Sequence, residues 1–92
     1  MNLASAFLKQ VLELQDFESW ASVRKQYLPS EYHKLFTEID KHCEKFHKLP
    51  TFEDLKYELR DSSTKDLLFA VSAIDTDADA YMLLQYLKNE YT

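Results

Sequence analysis

From Tyr32 to Phe46 the apolar side chains Tyr32, Leu35, Phe36, Ile39, Cys43 and Phe46 recur at steps of three or four, and Lys34, Glu38, Lys41, Glu44 and Lys45 fill positions between them. That spacing lines one side of an α-helix for about four turns, whereas a half-buried strand alternates every second residue. The pairs Glu38–Lys41 and Lys41–Glu44 lie three apart and add a few tenths of a kcal/mol each, about the most such exposed pairs give. Leu49-Pro50 ends the pattern, because the residue before a proline is pushed out of the helical region. Thr51 then reads as the start of another helix. Its hydroxyl is placed to accept from the Asp54 amide, and the Asp54 carboxylate falls at the positive end of the helix dipole. Phe52, Leu55 and Leu59 form the inward stripe of that next helix. A helix–turn–helix unit at the centre of the chain commits the rest to helical packing.

The same period runs on both sides. Leu3, Phe7, Leu8, Val11 and Leu14 predict a helix over 3–14, with Asn2 as a possible cap. Asp16 is placed to cap a second, with Phe17, Trp20, Val23 and Tyr27 as its stripe, until Leu28-Pro29-Ser30 interrupts and Ser30 offers the next cap. After the polar Asp61-Ser62-Ser63, Ser63 can cap a fifth helix with Leu67, Leu68, Val71 and Ile74 on its face. Asp75-Thr76-Asp77 breaks the chain again before a sixth helix carrying Tyr81, Leu84, Leu87 and Tyr91. No segment alternates as a strand does. The expectation is an all-α fold, a compact bundle of about six short helices forming one domain over 1–92.

Composition narrows what such a bundle can do. Glycine is absent from all 92 residues, which removes glycine-rich phosphate loops and glycine-ended helices. The net charge is −5, the wrong sign for the electrostatic term that supplies most non-specific DNA affinity, so DNA binding by this domain is expected to be weak at most. The acidity is concentrated late: residues up to 60 carry nine basic and ten acidic side chains, and those after it two and six. The N-terminus lacks a basic flank and a continuous apolar core, no apolar run approaches the ~20 residues of a membrane span, and the single cysteine, Cys43, has no partner for an internal disulfide. These features read as a cytosolic chain with no membrane role.

Motifs that carry chemistry fail on inspection. His42, Cys43 and His47 suggest a metal site, and Cys43 and His47 share a helix face, but a structural zinc needs four ligands and no supporting pair exists. Cys43 also falls on the apolar stripe, where a thiol packs as a small hydrophobe. Asp75, Asp77 and Asp79 mimic the opening of a calcium loop, but Ala80 stands where that loop needs glycine and Tyr86 where it needs glutamate; an acidic turn with helix-start charges is the simpler reading. Ser62 and Ser63 have no nearby histidine, and no glycine-framed nucleophile exists. No carboxylate pair stands out from the solvated charges of helix faces. The chain is read as non-enzymatic, with no catalytic, cofactor-binding or metal residues.

The aromatic side chains are the remaining signal. Phe7, Phe17, Trp20, Phe36, Phe46 and Phe52 fit inward faces and are expected in the core. Tyr57, Tyr86 and Tyr91 fit those faces less well and, with Met82, are candidates for an exposed patch on the last helices, since Tyr and Met are enriched where proteins meet. Tyr57, Tyr81, Met82, Tyr86 and Tyr91 are therefore the candidate partner-binding residues.

The pattern resembles the N-terminal domain of DnaB-family replicative DNA helicases, the phage-encoded ones especially. The likeness spans nearly the whole chain and is sharpest in the middle. Glu31-Tyr32-His33 leads into Leu35-Phe36-Thr37-Glu38-Ile39; His47-Lys48-Leu49-Pro50-Thr51 is similar to the family's turn, which ends in a residue able to cap; Leu55 and Leu59 match leucines of the following helix; the acidic stretch before Tyr81 resembles the entry to the last helix. The family turn often contains glycine, and His47 occupies that region here. The family continues into a helical hairpin and an ATPase domain with a phosphate-binding loop, whereas this sequence stops at Thr92, so the resemblance implies a fragment or a standalone derivative.

The resemblance also implies a role. In that family the domain hydrolyses nothing; it forms a collar on a ring-shaped hexamer, helps assemble neighbouring subunits, surrounds the DNA path, and meets the primase or helicase loader. ATP and magnesium belong to the missing parent domain, and the location implied is the cytoplasm, that of the host for a phage-encoded chain. Without the hairpin the expected state is a monomer or weak dimer. Rival expectations are a small standalone regulator that binds a helicase, and an unrelated helical adaptor with a tyrosine-lined groove for a partner peptide.

Overall fold

Leu3–Leu14, the opening helix (α1), is apolar on almost every side: Ala4, Ala6, Phe7, Leu8, Val11 and Leu12 are buried, and so are the polar Ser5 and Gln10. A helix apolar all round belongs in the middle of a fold, and that is its place in the computed structural model, which describes residues 3–91, the side chain of Tyr91 excepted. The helix packs against α6 (Ala80–Tyr91) most extensively, then against α5 (Ser62–Ser72) and α2 (Phe17–Ser22). Around this centre α3 (His33–Phe46) meets α4 (Phe52–Glu58) and α5, and α4 also packs on α5. The described residues contain these six α-helices, two 3-10 turns and no strand. The Asn2 cap lies outside the described residues.

Polar side chains inside the fold fasten loops to α1. Gln10 Nε2 donates to the carbonyl of Ala78 at 2.6 Å, and Lys9 Nζ to that of Ser72 at 3.0 Å. These two bonds hold the connection between α5 and α6 against the central helix. Gln15 leaves α1 with φ 54°, in the left-handed region, and its side-chain amide donates to the carbonyls of Leu12 and Pro50 at 2.8 and 3.0 Å. The Ser5 and Tyr32 hydroxyls are hydrogen-bonded to each other in the interior, tying α1 to the entrance of α3.

Capping decides where helices begin. The Asp16 carboxylate accepts from the Ser19 amide and hydroxyl, as expected for α2. Thr51 and Asp54 form the reciprocal box expected of the α4 start: Asp54 N donates to Thr51 Oγ1 and Thr51 N to Asp54 Oδ2, both at 3.0 Å.

Four sequence expectations need correction. The second helix stops at Ser22 and does not carry its stripe to Tyr27. Val23 is extended and buried, and the chain then makes the 3-10 turn Lys25–Tyr27, which packs on α6. Burial of Val23 and Leu28 against the bundle outweighs continuation of a short helix, since local preference is weak beside packing. Ser30 does not cap: Ser30–Tyr32 is a 3-10 turn feeding α3, and His33 Nε2 donates back to the carbonyl of Leu28 at 2.9 Å. At α5 the cap is Asp61 rather than Ser63; its carboxylate accepts from the Thr64 amide and from the hydroxyls of Ser63 and Thr64. A carboxylate at the dipole's positive end is the stronger cap. Finally, Phe17, Phe46 and Tyr81 are exposed rather than inward. Phe17 and Tyr81 stand in the first turns of their helices and Phe46 in the last turn of α3, at the margins of the packed interior.

Candidate functional site

The buried face of α3 is Leu35, Ile39 and His42. Steps of four and three put a histidine where the next core residue belongs, and a buried imidazole needs a polar partner. Glu58 on α4 supplies it: His42 Nδ1 lies 2.8 Å from Glu58 Oε1. Since a carboxylate accepts, Nδ1 carries the proton and donates. The other ring nitrogen, Nε2, is buried without a hydrogen-bond partner and faces Asp54 Oδ2 at 4.0 Å, beyond bonding distance. The imidazole also packs on Phe46, ring centroids 4.6 Å apart.

These side chains line a depression of about 280 Å³ between the end of α3 and α4, formed by His42, Phe46, Lys48, Asp54, Tyr57 and Glu58. Its wall is set by the turn. His47 adopts the left-handed conformation (φ 58°) that closes α3, Leu49 and Pro50 are buried, and the Thr51–Asp54 box fixes the first turn of α4. Asp54 is thereby held as an anion. The hydrogen bond from the Thr51 backbone amide lowers its pKa most, with smaller contributions from the Thr51 hydroxyl, His42 and Lys48. The histidine–carboxylate pair escaped the sequence reading, which weighed His42 only as a metal ligand. The signal was present in the 35–39–42 spacing and in an acidic residue at the end of the following helix.

The five candidate contact residues divide between two places. Tyr57, 79% exposed, stands at the depression just described, and no α6 residue lines it. Tyr81, Met82 and Tyr86 are 60%, 48% and 50% exposed on α6, while Leu83, Leu84 and Leu87 of the same helix face inward. The side chain of Tyr91 lies outside the described residues. Tyr57 therefore belongs to a different depression from any surface made by the α6 residues.

A second groove, about 300 Å³, runs between α2 and α3, with Phe17, Trp20, Phe36 and Cys43 as its apolar lining and Asp40 and Glu44 among its polar residues. Trp20 and Phe36 pack with ring centroids 4.6 Å apart. Burial, and then the neighbouring Asp40, push the Cys43 thiol above its usual pKa, the opposite of what a reactive thiolate needs.

The trio once weighed as metal ligands is dispersed. His42 points to α4, Cys43 lines the α2–α3 groove, and His47 is exposed beyond the helix end. Among the described residues no group of three His, Cys, Asp or Glu side chains is placed to hold a metal ion. Asp79 accepts from the Tyr81 amide at 3.2 Å at the start of α6, the helix-start role expected of the acidic turn. No described helix is long and apolar enough to cross a membrane. Comparison with protein-family models, with curated proteins and with solved structures finds no match.

Proposed function

We propose that this chain is a non-catalytic docking and assembly domain of the kind found at the N-terminal collar of DnaB-family replicative helicases, contacting neighbouring subunits and a primase or helicase loader. The observation that carries the docking role is the outer face of α6, where Tyr81, Met82 and Tyr86 are left in solvent on a helix whose opposite face is core. Tyr and Met are residue types enriched at interfaces. The likeness to the collar domain rests on the central unit, in which the Leu49-Pro50-Thr51 turn packs inward and starts α4 with a capping box. The acidic charge is consistent with protein rather than DNA as the main ligand. ATP and magnesium would be handled by a different domain, because a chain without glycine has no phosphate-binding loop of the glycine-rich kind.

The test is binding of the purified domain to the primase and the helicase loader encoded in the same genome, each purified separately. One of them is expected to bind and to lose affinity when Tyr81, Met82 and Tyr86 are replaced by Ala together. Light scattering is expected to show the isolated domain as a monomer or weak dimer; a stable hexamer at micromolar concentration would contradict that state.

A further inference from the structure

We propose that the groove between α2 and α3 receives a basic amphipathic helix of a protein partner, with an aliphatic side chain seated in the groove and Lys or Arg side chains one turn apart facing Asp40 and Glu44. The inference rests on the reading of this chain as a docking domain, and it concerns a surface separate from the α6 face. The groove exists because α2 packs on α1 and α6 and meets α3 through the Trp20 and Phe36 rings, centroids 4.6 Å apart. That leaves a depression of about 300 Å³ between the two helices. Phe17, which also lines it, is exposed. The Cys43 thiol in its wall keeps its proton, since burial and then Asp40 raise its pKa, so the wall carries no charge of its own. An uncharged aromatic groove left in solvent suits an apolar side chain presented by a helix.

Charge decides the occupant. The charged side chains lining the groove are Asp40 and Glu44, both exposed, of the same sign and four residues apart on α3. Like charges at that spacing destabilise the helix that carries them. Among the described residues neither carboxylate has an ion pair or a side-chain hydrogen bond. The neighbouring cations of α3 are engaged elsewhere: Lys41 pairs with Glu38 at 3.7 Å, and Lys45 lies 5.3 Å over the Phe46 ring. An apolar groove with an unneutralised acidic rim is complementary to an apolar anchor flanked by cations. Four residues advance a helix by about 6 Å, so Lys or Arg at i and i+4 of a partner helix fall in register with Asp40 and Glu44. A second copy docked face to face would instead set the same two carboxylates against each other, because a two-fold interface pairs a patch with itself.

The experiment is a fluorescence titration of the full chain with a synthetic amphipathic helical peptide of Leu and Lys, and in parallel with its Leu and Glu counterpart. Trp20 is the chain's single tryptophan and lines the groove, so its emission reports occupancy there. A saturable change is expected with the Lys peptide and none with the Glu peptide. The Asp40→Asn, Glu44→Gln double variant alters only exposed side chains and is expected to weaken binding about tenfold, the weight of two exposed charge pairs. The Asp75→Asn, Asp77→Asn variant removes the same charge from exposed positions before α6 and is expected to leave affinity unchanged. Phe17→Ala is expected to weaken binding several-fold. The proposal is overturned if Trp20 emission does not respond, if both peptides bind alike, if the two charge variants weaken binding equally, or if Phe17→Ala has no effect. It is also overturned if light scattering shows that Asp40→Asn, Glu44→Gln makes the chain dimerise, since the occupant is then a second copy. The Tyr81→Ala, Met82→Ala, Tyr86→Ala variant is expected to keep peptide binding, so failure of the groove and failure of the α6 docking face are read separately.

Discussion

His42 Nδ1 lies 2.8 Å from Glu58 Oε1, joining α3 to α4 across sixteen residues of sequence. Its histidine is buried while its glutamate is partly exposed. The two partners should therefore respond unequally to mutation. His42→Ala removes the bond, the packing on Phe46 and a buried ring, and is expected to cost about 1–3 kcal/mol. Glu58→Gln keeps an acceptor for Nδ1 and is expected to cost less than about 1 kcal/mol. Urea unfolding of both variants checks the order; equal losses would mean that charge, not burial, sets the value of the pair.

His47 ends α3 at φ 58°, where a side chain crowds the backbone and glycine does not. His47→Gly is expected to stabilise the domain by about 0.5–1 kcal/mol, the relief of left-handed strain less the added freedom of the unfolded chain. A thermal melt reads this directly. A lower melting temperature would show that the exposed imidazole makes a contribution larger than the strain.

Tyr32 is buried and its hydroxyl is bonded to Ser5, anchoring the 3-10 entrance of α3 to the central helix. Tyr32→Phe keeps the ring and deletes the bond, for an expected loss of about 1 kcal/mol. Tyr32→Ala also empties a core site and is expected to cost about 3–5 kcal/mol. The gap between the two variants in denaturant titrations separates packing from hydrogen bonding.

Asp61 gives the stability a defined acid dependence. The Ser63 hydroxyl, then the Thr64 hydroxyl and amide, lower its pKa from 3.8 to about 2. Because the folded carboxyl holds its proton less tightly than the unfolded one, ionisation favours folding. The contribution is complete above pH 3.8 and is lost as the pH falls from there through about 2. Asp61→Asn keeps a capping oxygen without the charge, so its melting temperature should lie below the wild type at neutral pH and converge with it across that acid window. A gap that does not change with pH would contradict this role.

The fold was legible in the sequence where one physical signal dominated. The Tyr32–Phe46 stripe and the Thr51–Asp54 box placed α3 and α4, and the helical spacing of Leu3, Phe7, Leu8, Val11 and Leu14 placed α1, though not its position at the centre. Legibility failed where long-range packing decided. Val23 is buried, as its place on the stripe implies, but nothing local says that α2 ends before it, because the surface it meets comes from distant parts of the chain. Phe17 and Phe46 have the right spacing for the core but fall where helices begin or end beside a groove, and periodicity cannot tell a core edge from a surface. The sequence reading put the α5 cap at Ser63, and only the geometry of three donors converging on the Asp61 carboxylate, two residues earlier, moves it. For the site, the exposure of Tyr57 and Tyr86 accords with their poor fit to inward faces. The split of Tyr57 from the α6 residues was not legible, since it depends on how the helices are arranged around α1.

The most direct measurement of the central claim is binding of the 92-residue domain to the primase and helicase loader of its own genome, by calorimetry, with the Tyr81→Ala, Met82→Ala, Tyr86→Ala triple variant as control. The account predicts saturable binding to at least one of the two, lost in a triple variant that keeps its helical circular-dichroism spectrum. Absence of binding to both by a fully folded domain would contradict it.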